Sequence, residues 1–292
     1  MKIMIISILF LVSLLTTKSD ARLENTLRLP IQPTFKKVFI IVLENEDNTN
    51  ALNAPYLKEL ASRGAYLSNF HGLVHPSQGN YFALTAGSYL GMKGLLGDRI
   101  VEKDVPHIAD LLEKKGLKWK SYAEDYPGNC YKNGSSKNGQ YVRRHEPFIS
   151  FVNVASIPIR CASIVNATEL EKDISANALP DYSLYVPNIR NDGHDTNVAF
   201  ASRWLQTKFD PLFKNQTFMK DLLVIVTFDE SLDSTPGNPI YTMLYGDSIL
   251  SGSSTAAKYD HYNILRTIED VFELGSLHQN DEKASPIAGI WK

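Results

Sequence analysis

The sequence predicts an α/β fold in three layers, a mostly parallel central sheet with helices on both faces, and three observations carry that expectation. Residues 38–43 (VFIIVL) and 221–228 (DLLVIVTF) hold long unbroken apolar runs, which is how strands covered on both faces of a parallel sheet read. Strand-like and helix-like stretches alternate along the chain, as crossover connections require. No internal repeat, low-complexity run or Pro/Gly-rich linker divides residues 22–292, so a single domain is expected.

Taken in order, the first strand is expected over 37–43 and a helix over 55–63, closed by Gly64. A strand over 65–70 follows, then helices over 78–87 and 106–115, the latter closed by Gly116. Strand 117–122 precedes a stretch, 129–181, that lacks the alternation. This stretch reads as an irregular excursion on the side where strands end. Beyond it come strand 182–187, helix 197–208, strands 221–228 and 240–246, and helix 262–274.

Bulk composition narrows the class. With 292 residues, 43% hydrophobic and 21% charged, the chain is long enough for one large α/β domain. A formal net charge of −2 supplies no positive field, so nucleic acid is not expected as a partner. Met1-Lys2, the apolar run IMIISILFLVSLL and the polar TTKSDA ending in Ala21 have the form of a secretory signal peptide over residues 1–21. That run is short for a membrane span, which takes about 20 apolar residues. A secreted, extracellular protein without stable membrane insertion is expected, an uncleaved anchor being the alternative. Cys130 and Cys161 are the two cysteines. In an oxidising compartment they are expected to bridge, contributing about 3–4 kcal/mol in the chain-entropy model. Sequons at Asn133, Asn166 and Asn215 are candidate glycosylation sites in a eukaryotic host.

Polar groups collect where strands end, the place at which open α/β sheets bind ligands. Glu44 and Asn45 follow the first strand abruptly. In LVHPSQGNYFALTAG, Ser77 stands at the start of a helix, where backbone N–H groups favour an anion; an ordinary N-cap is the alternative. YVPNIRNDGHDTN places Asn188, Asn191, Asp192, His194 and Asp195 after a strand, equally the composition of a turn. TFDES ends a buried strand in Asp229 and Glu230, adjacent carboxylates that repel unless a cation or proton offsets them. His261 opens the last helix, where a surface role is the alternative. Carboxylates, an amide and a hydroxyl suit a hard or borderline divalent ion, whereas histidine donors shift the choice toward zinc or iron.

ENEDN, HPSQGNY, PNIRNDGHD, TFDES and YDHYNILRTIED, in this order, resemble the secreted phosphoesterase family of acid phosphatases and phospholipases C, within the alkaline-phosphatase-like superfamily. The resemblance extends from about Val38 to Leu274. It implies the three-layer sandwich of that superfamily over residues 22–292. It further implies that Glu44, Asn45, Ser77, Asp229 and Glu230 hold a divalent metal ion, zinc, iron, calcium or magnesium, in one well-formed site. The superfamily commonly has Asp-His where this chain has Asp229-Glu230, a departure that favours one metal site over a dinuclear zinc centre. Ser77 is then the nucleophile, His194 or His261 the general acid, and Asn80, Asp192 and His75 contact the substrate phosphate. The expected activity is hydrolysis of a small phosphoric monoester through a phosphoserine. A phosphodiesterase or phospholipase C, and a non-catalytic secreted binding protein, are the alternatives.

Overall fold

The protein is described by a computed structural model covering residues 33–95, 97–232 and 235–292. The signal peptide read over residues 1–21 lies outside the described residues. Ten strands are present among them: β1 (Lys37–Leu43), β2 (Ala65–Leu67), β3 (Phe70–His71), β4 (Trp119–Ala123), β5 (Ile164–Asn166), β6 (Tyr182–Val186), β7 (Leu222–Phe228), β8 (Thr242–Tyr245), β9 (Ser253–Thr255) and β10 (Tyr259–Asp260). Eight form one sheet in the order β5-β4-β6-β1-β7-β8-β2-β9, and β10 pairs with β3 in a small second sheet. The central ladders are parallel, with Val38 opposite Tyr182 and Lys37 opposite Leu222.

Helices cover both faces. Phe39 of β1 packs against Phe209 and Phe218, ring centroids 5.8 and 5.9 Å away, from the helices Val198–Phe213 and Gln216–Met219. Side chains alternate along a strand, and on the opposite face Trp119 of β4 and Tyr182 of β6 pack against Phe148 of the helix Pro147–Ser150. Every residue of β7 is buried and six of the seven in β1. The unbroken apolar runs are therefore explained by burial on two sides.

The structure departs from the expected elements in several places. The strand expected over 65–70 is two short strands in different sheets, because Ser68 and Asn69 turn the chain between β2 and β3. β8 runs antiparallel to β7; the described residues between them contain no crossover helix to return the chain in parallel. The stretch 129–181 is less irregular than expected. It supplies β5, which extends the sheet beside β4, and the helix Glu169–Ser175. A three-residue strand is too short to show a period, which is why only pairing reveals it. Within this stretch Cys130 and Cys161 are bridged, with Cα atoms 5.7 Å apart.

One buried carboxyl pair fastens the C-terminal segment. Asp281 is fully buried and accepts from the backbone N–H groups of Leu277 and Gln279. Glu269, on the helix His261–Val271, is fully buried too. Burial, then the charge of Asp281, pushes its carboxyl up from the ordinary 4.5 to about 9, with Arg266 opposing and Asp270 reinforcing the shift. Folded protein thus holds this proton more tightly than unfolded chain. Its stabilisation is complete below pH 4.5 and is lost as pH rises toward 9. Glu269→Gln removes the titration at nearly unchanged shape, so the fall in Tm between these pH values is expected to be shallower in the variant. Parallel Tm profiles for the two proteins would remove Glu269 as the cause.

Candidate active site

The parallel register assembles the site. Leu43 pairs with Phe228, so the next residues along, Glu44 and Asp229, emerge side by side at the carboxyl edge of the sheet. Asn45 takes a left-handed conformation, φ 43°, which Asn tolerates better than most residues. Its backbone N–H donates to Asp229 Oδ1 at 3.3 Å. From the loop after β6, the carbonyl of Asp192 accepts from the Glu44 N–H at 3.0 Å. Glu44, Asp192, Asp229 and Glu230 are each about 1% exposed, an arrangement that four negative charges do not sustain alone.

Ser77 precedes the helix Gln78–Ala86 in a helical conformation and makes no side-chain capping bond. Its Oγ instead donates to Glu44 Oε2 at 3.0 Å, with Glu230 Oε1 at 3.2 Å as the alternative acceptor. One turn on, Tyr81 donates to Glu44 Oε1 at 2.5 Å, and burial holds its phenol well above the ordinary range. Asn80 is engaged on both sides of its amide. It accepts from the N–H groups of Leu73 and Val74 and donates to Val74 O and, at 3.3 Å, to Glu230 Oε2. Hence Asn80, expected near the substrate phosphate, also shapes the loop before Ser77.

The four histidines of the region differ in access. His75 places Nδ1 2.9 Å from Glu230 Oε2 with its side chain 32% exposed. His194 is similarly open, 31%, with Nδ1 2.9 Å from Asp195 Oδ1 and its backbone N–H on Asp192 Oδ1. His261 is buried; its Nε2 contacts the Asp229 carbonyl at 2.8 Å, and burial lowers its pKa to about 4. It is therefore a neutral imidazole donating from Nε2 to that carbonyl. His145 was not foreseen. Fully buried in the turn Arg143–His145 of the excursion, it lies 3.4 Å from Glu44 Oε1 and 3.3 Å from Asp192 Oδ2, stacked on Tyr81. Burial, then the charge of the partly exposed Arg144, holds His145 well below its ordinary pKa. The spacing of Tyr81 four residues after Ser77 places both on one helix face and is a signal readable in sequence. Nothing comparable marks His145.

The donor set fits a divalent cation. Glu44, His145 and Asp192 present ligand atoms within 4.8 Å of one another. Asn45 Oδ1, Asp192 Oδ2 and Asp229 Oδ2 are buried without hydrogen-bond partners, and such orphaned acceptors are what a cation satisfies. Burial raises the pKa of Glu44 and Asp192 well above the ordinary carboxyl range and that of Asp229 to about 7. Nearby carboxylates push Glu44 further in the same direction. Asp192, expected on the substrate phosphate, is thus grouped with Glu44 and His145 in the candidate metal cluster.

The chain is 37% identical over 261 residues to a probable acid phosphatase of Kluyveromyces lactis, covering 86% of this chain and 61% of that protein. It is 30% identical over 267 residues to a phosphatidylinositol-3-phosphatase of Mycobacterium tuberculosis, covering 89% and 84%. Against the fungal acid phosphatases it matches, the chain spans 57–61% of their length. A solved protein of the alkaline phosphatase superfamily from Vibrio parahaemolyticus shares the fold, with a TM-score of 0.60 at 14% identity over 89% of this chain and 72% of the other. Residues 48–275 match the family model described as Phosphoesterase family, and the chain belongs to that family.

Proposed function

We propose that this chain is a metal-dependent phosphoric monoester hydrolase that works through a phosphoserine on Ser77. The observation that carries the reading is the Ser77 hydroxyl, held at a helix N-terminus and within 3.0 and 3.2 Å of two buried carboxylates. Its proton has acceptors in place at Glu44 Oε2 and Glu230 Oε1. Attack of Oγ on phosphorus forms the P–O(Ser) bond and breaks the bond to the leaving alcohol, which takes its proton from His194. Exposure favours His194, which is reachable, over His261, which is buried with its Nε2 on the Asp229 carbonyl. Water, giving a proton to His194, then attacks phosphorus; the P–O(Ser) bond breaks, Ser77 Oγ takes back its proton from the carboxylate that accepted it, and phosphate departs. Arg144 offers positive charge at the rim for the phosphoryl oxygens.

Glu44, Asn45, Asp229 and Glu230 together with Ser77 would hold the cation, and His145 and Asp192 extend the same cluster. A bound divalent ion supplies neutralising charge for these carboxylates and for the phosphoryl group. Secretion is part of the proposal. The Cys130–Cys161 bridge suits an oxidising compartment, and no helix among the described residues is long and apolar enough to cross a membrane. Asn133 and Asn215 are exposed. Asn166 is partly buried and donates from Nδ2 to Tyr126 O at 3.1 Å, so a glycan there has to leave the remaining N–H on that bond, a constraint the other two sites do not carry.

Similarity to the mycobacterial phosphatidylinositol-3-phosphatase favours a second reading, in which the monoester sits on a lipid headgroup. Metal-replete protein is to be assayed on p-nitrophenyl phosphate, bis-p-nitrophenyl phosphate and phosphatidylinositol 3-phosphate in micelles. The expected result is a kcat/KM on the soluble monoester about 100-fold or more above that on the diester, a preference of about 2.7 kcal/mol. Greater activity on the diester overturns the monoesterase reading. A large preference for the phosphoinositide moves the substrate to the lipid.

A further inference from the structure

A groove of about 1240 Å³ lies at the end of the sheet opposite the candidate active site. Lys36 and Lys37 line it where β1 begins, Lys220 and Asp221 just before β7, and Asp247 beyond the end of antiparallel β8. β1 and β7 each span seven residues, so at about 3.3 Å per residue the groove stands roughly 20 Å from Glu44 and Asp229. It is a separate surface.

Charge singles it out. Six lysine and arginine side chains line the groove against two carboxylates, Asp221 and Asp247, on a chain whose net charge is −2. Three of the six are internally engaged: Arg63 and Lys214 share Asp210, and Lys36 lies 3.4 Å from Asp221. Lys37, Lys220 and Lys292 make no ion pair among the described residues. A positive field focused in a concavity attracts an anionic partner.

We infer that this groove binds an acidic polysaccharide. Concavity suits a flexible chain better than a flat bilayer. Among the described residues, none of the exposed large hydrophobic side chains, Ile100, Ile157, Ile159, Leu232 and Leu250, lines it, so its described walls offer no such side chain to a lipid surface. The two carboxylates distinguish between polyanions. Asp221 and Asp247 repel a chain of phosphates, which lacks donors, but accept hydrogen bonds from sugar hydroxyls. Asn177, Gln216, Thr217 and Ser251 add neutral donors and acceptors along the same walls. Lysines then pair with the sugar carboxylates as hydrated point charges, giving salt-sensitive tethering.

The test is binding of fluorescently labelled polygalacturonate to the full protein at low ionic strength. Asn215 is changed to Ser in every sample so that no attached glycan crowds the groove while a capping side chain is kept. Binding that weakens with salt is expected, with neutral dextran unbound. The double variant Lys220→Glu, Lys292→Glu should bind at least 10-fold more weakly and hydrolyse a small monoester at the unchanged rate, which also shows that it is folded. The inference is overturned by absence of polygalacturonate binding, by equal binding in the double variant, or by polyphosphate or anionic phospholipid vesicles binding as tightly as the polysaccharide.

Discussion

Ser77→Ala is expected to lower kcat on a phosphomonoester by about 10³-fold or more, because the attacking oxygen is removed and no neighbouring side chain can replace it. The fold should tolerate the change. Ser77 has helical dihedrals and no capping bond, so Ala does not forfeit the roughly 1 kcal/mol that a capping serine contributes. What is lost is a donor to Glu44 and Glu230, and a bound cation offsets that loss. Metal content and Tm in the presence of metal are therefore expected to stay near the wild-type values. Rapid quenching of the wild type with a labelled monoester should trap phosphate on Ser77, with no label in the variant. Near wild-type turnover by Ser77→Ala would end the phosphoserine mechanism. A wild type inactive on every phosphoester would favour a binding protein built on the same fold.

Asp229→Asn should remove bound metal and activity together, lowering kcat by about 10²-fold or more at fixed metal concentration. The substitution preserves shape and the acceptor for the Asn45 N–H, so the change is mainly one of charge. Without a cation, that charge is a liability. Burial has pushed the Asp229 carboxyl up to about 7, and a carboxyl with a raised folded pKa costs stability as pH rises from its ordinary 3.8 through that value. In chelator at pH 8 the variant is accordingly expected to melt at or above the wild type, whereas with metal the order reverses. Elemental analysis, differential scanning fluorimetry in both conditions and a monoester assay measure the three effects. Full metal content with full activity in Asp229→Asn would remove Asp229 from the metal site.

Local sequence was sufficient for the parts of the molecule governed by local physics. Apolar runs long enough to be buried on two faces identify β1 and β7, and the abrupt polar residues after them locate Glu44, Asn45, Asp229 and Glu230 at the edge where ligands bind. Ser77 was legible as a helix start, but its two readings, cap or nucleophile, are identical in sequence. The packed structure removes only the capping bond, turning Oγ toward Glu44 and Glu230 and away from the helix N–H groups; the nucleophile is what we propose from that placement. His145 illustrates the opposite limit. It lies in a stretch without helical or strand periodicity, and its approach to Glu44 depends on where the chain between β4 and β6 is folded back. Asp192 likewise joins Glu44 and His145 only after β6 pairs with β1. Periodicity and turn chemistry act over a few residues, whereas strand order, register and the path of the excursion are set by burial among residues far apart in the chain. The first kind of information is written locally and determined the fold class and the acidic edge; the second exists only once the sheet has closed, and it decided which histidines meet the carboxylates.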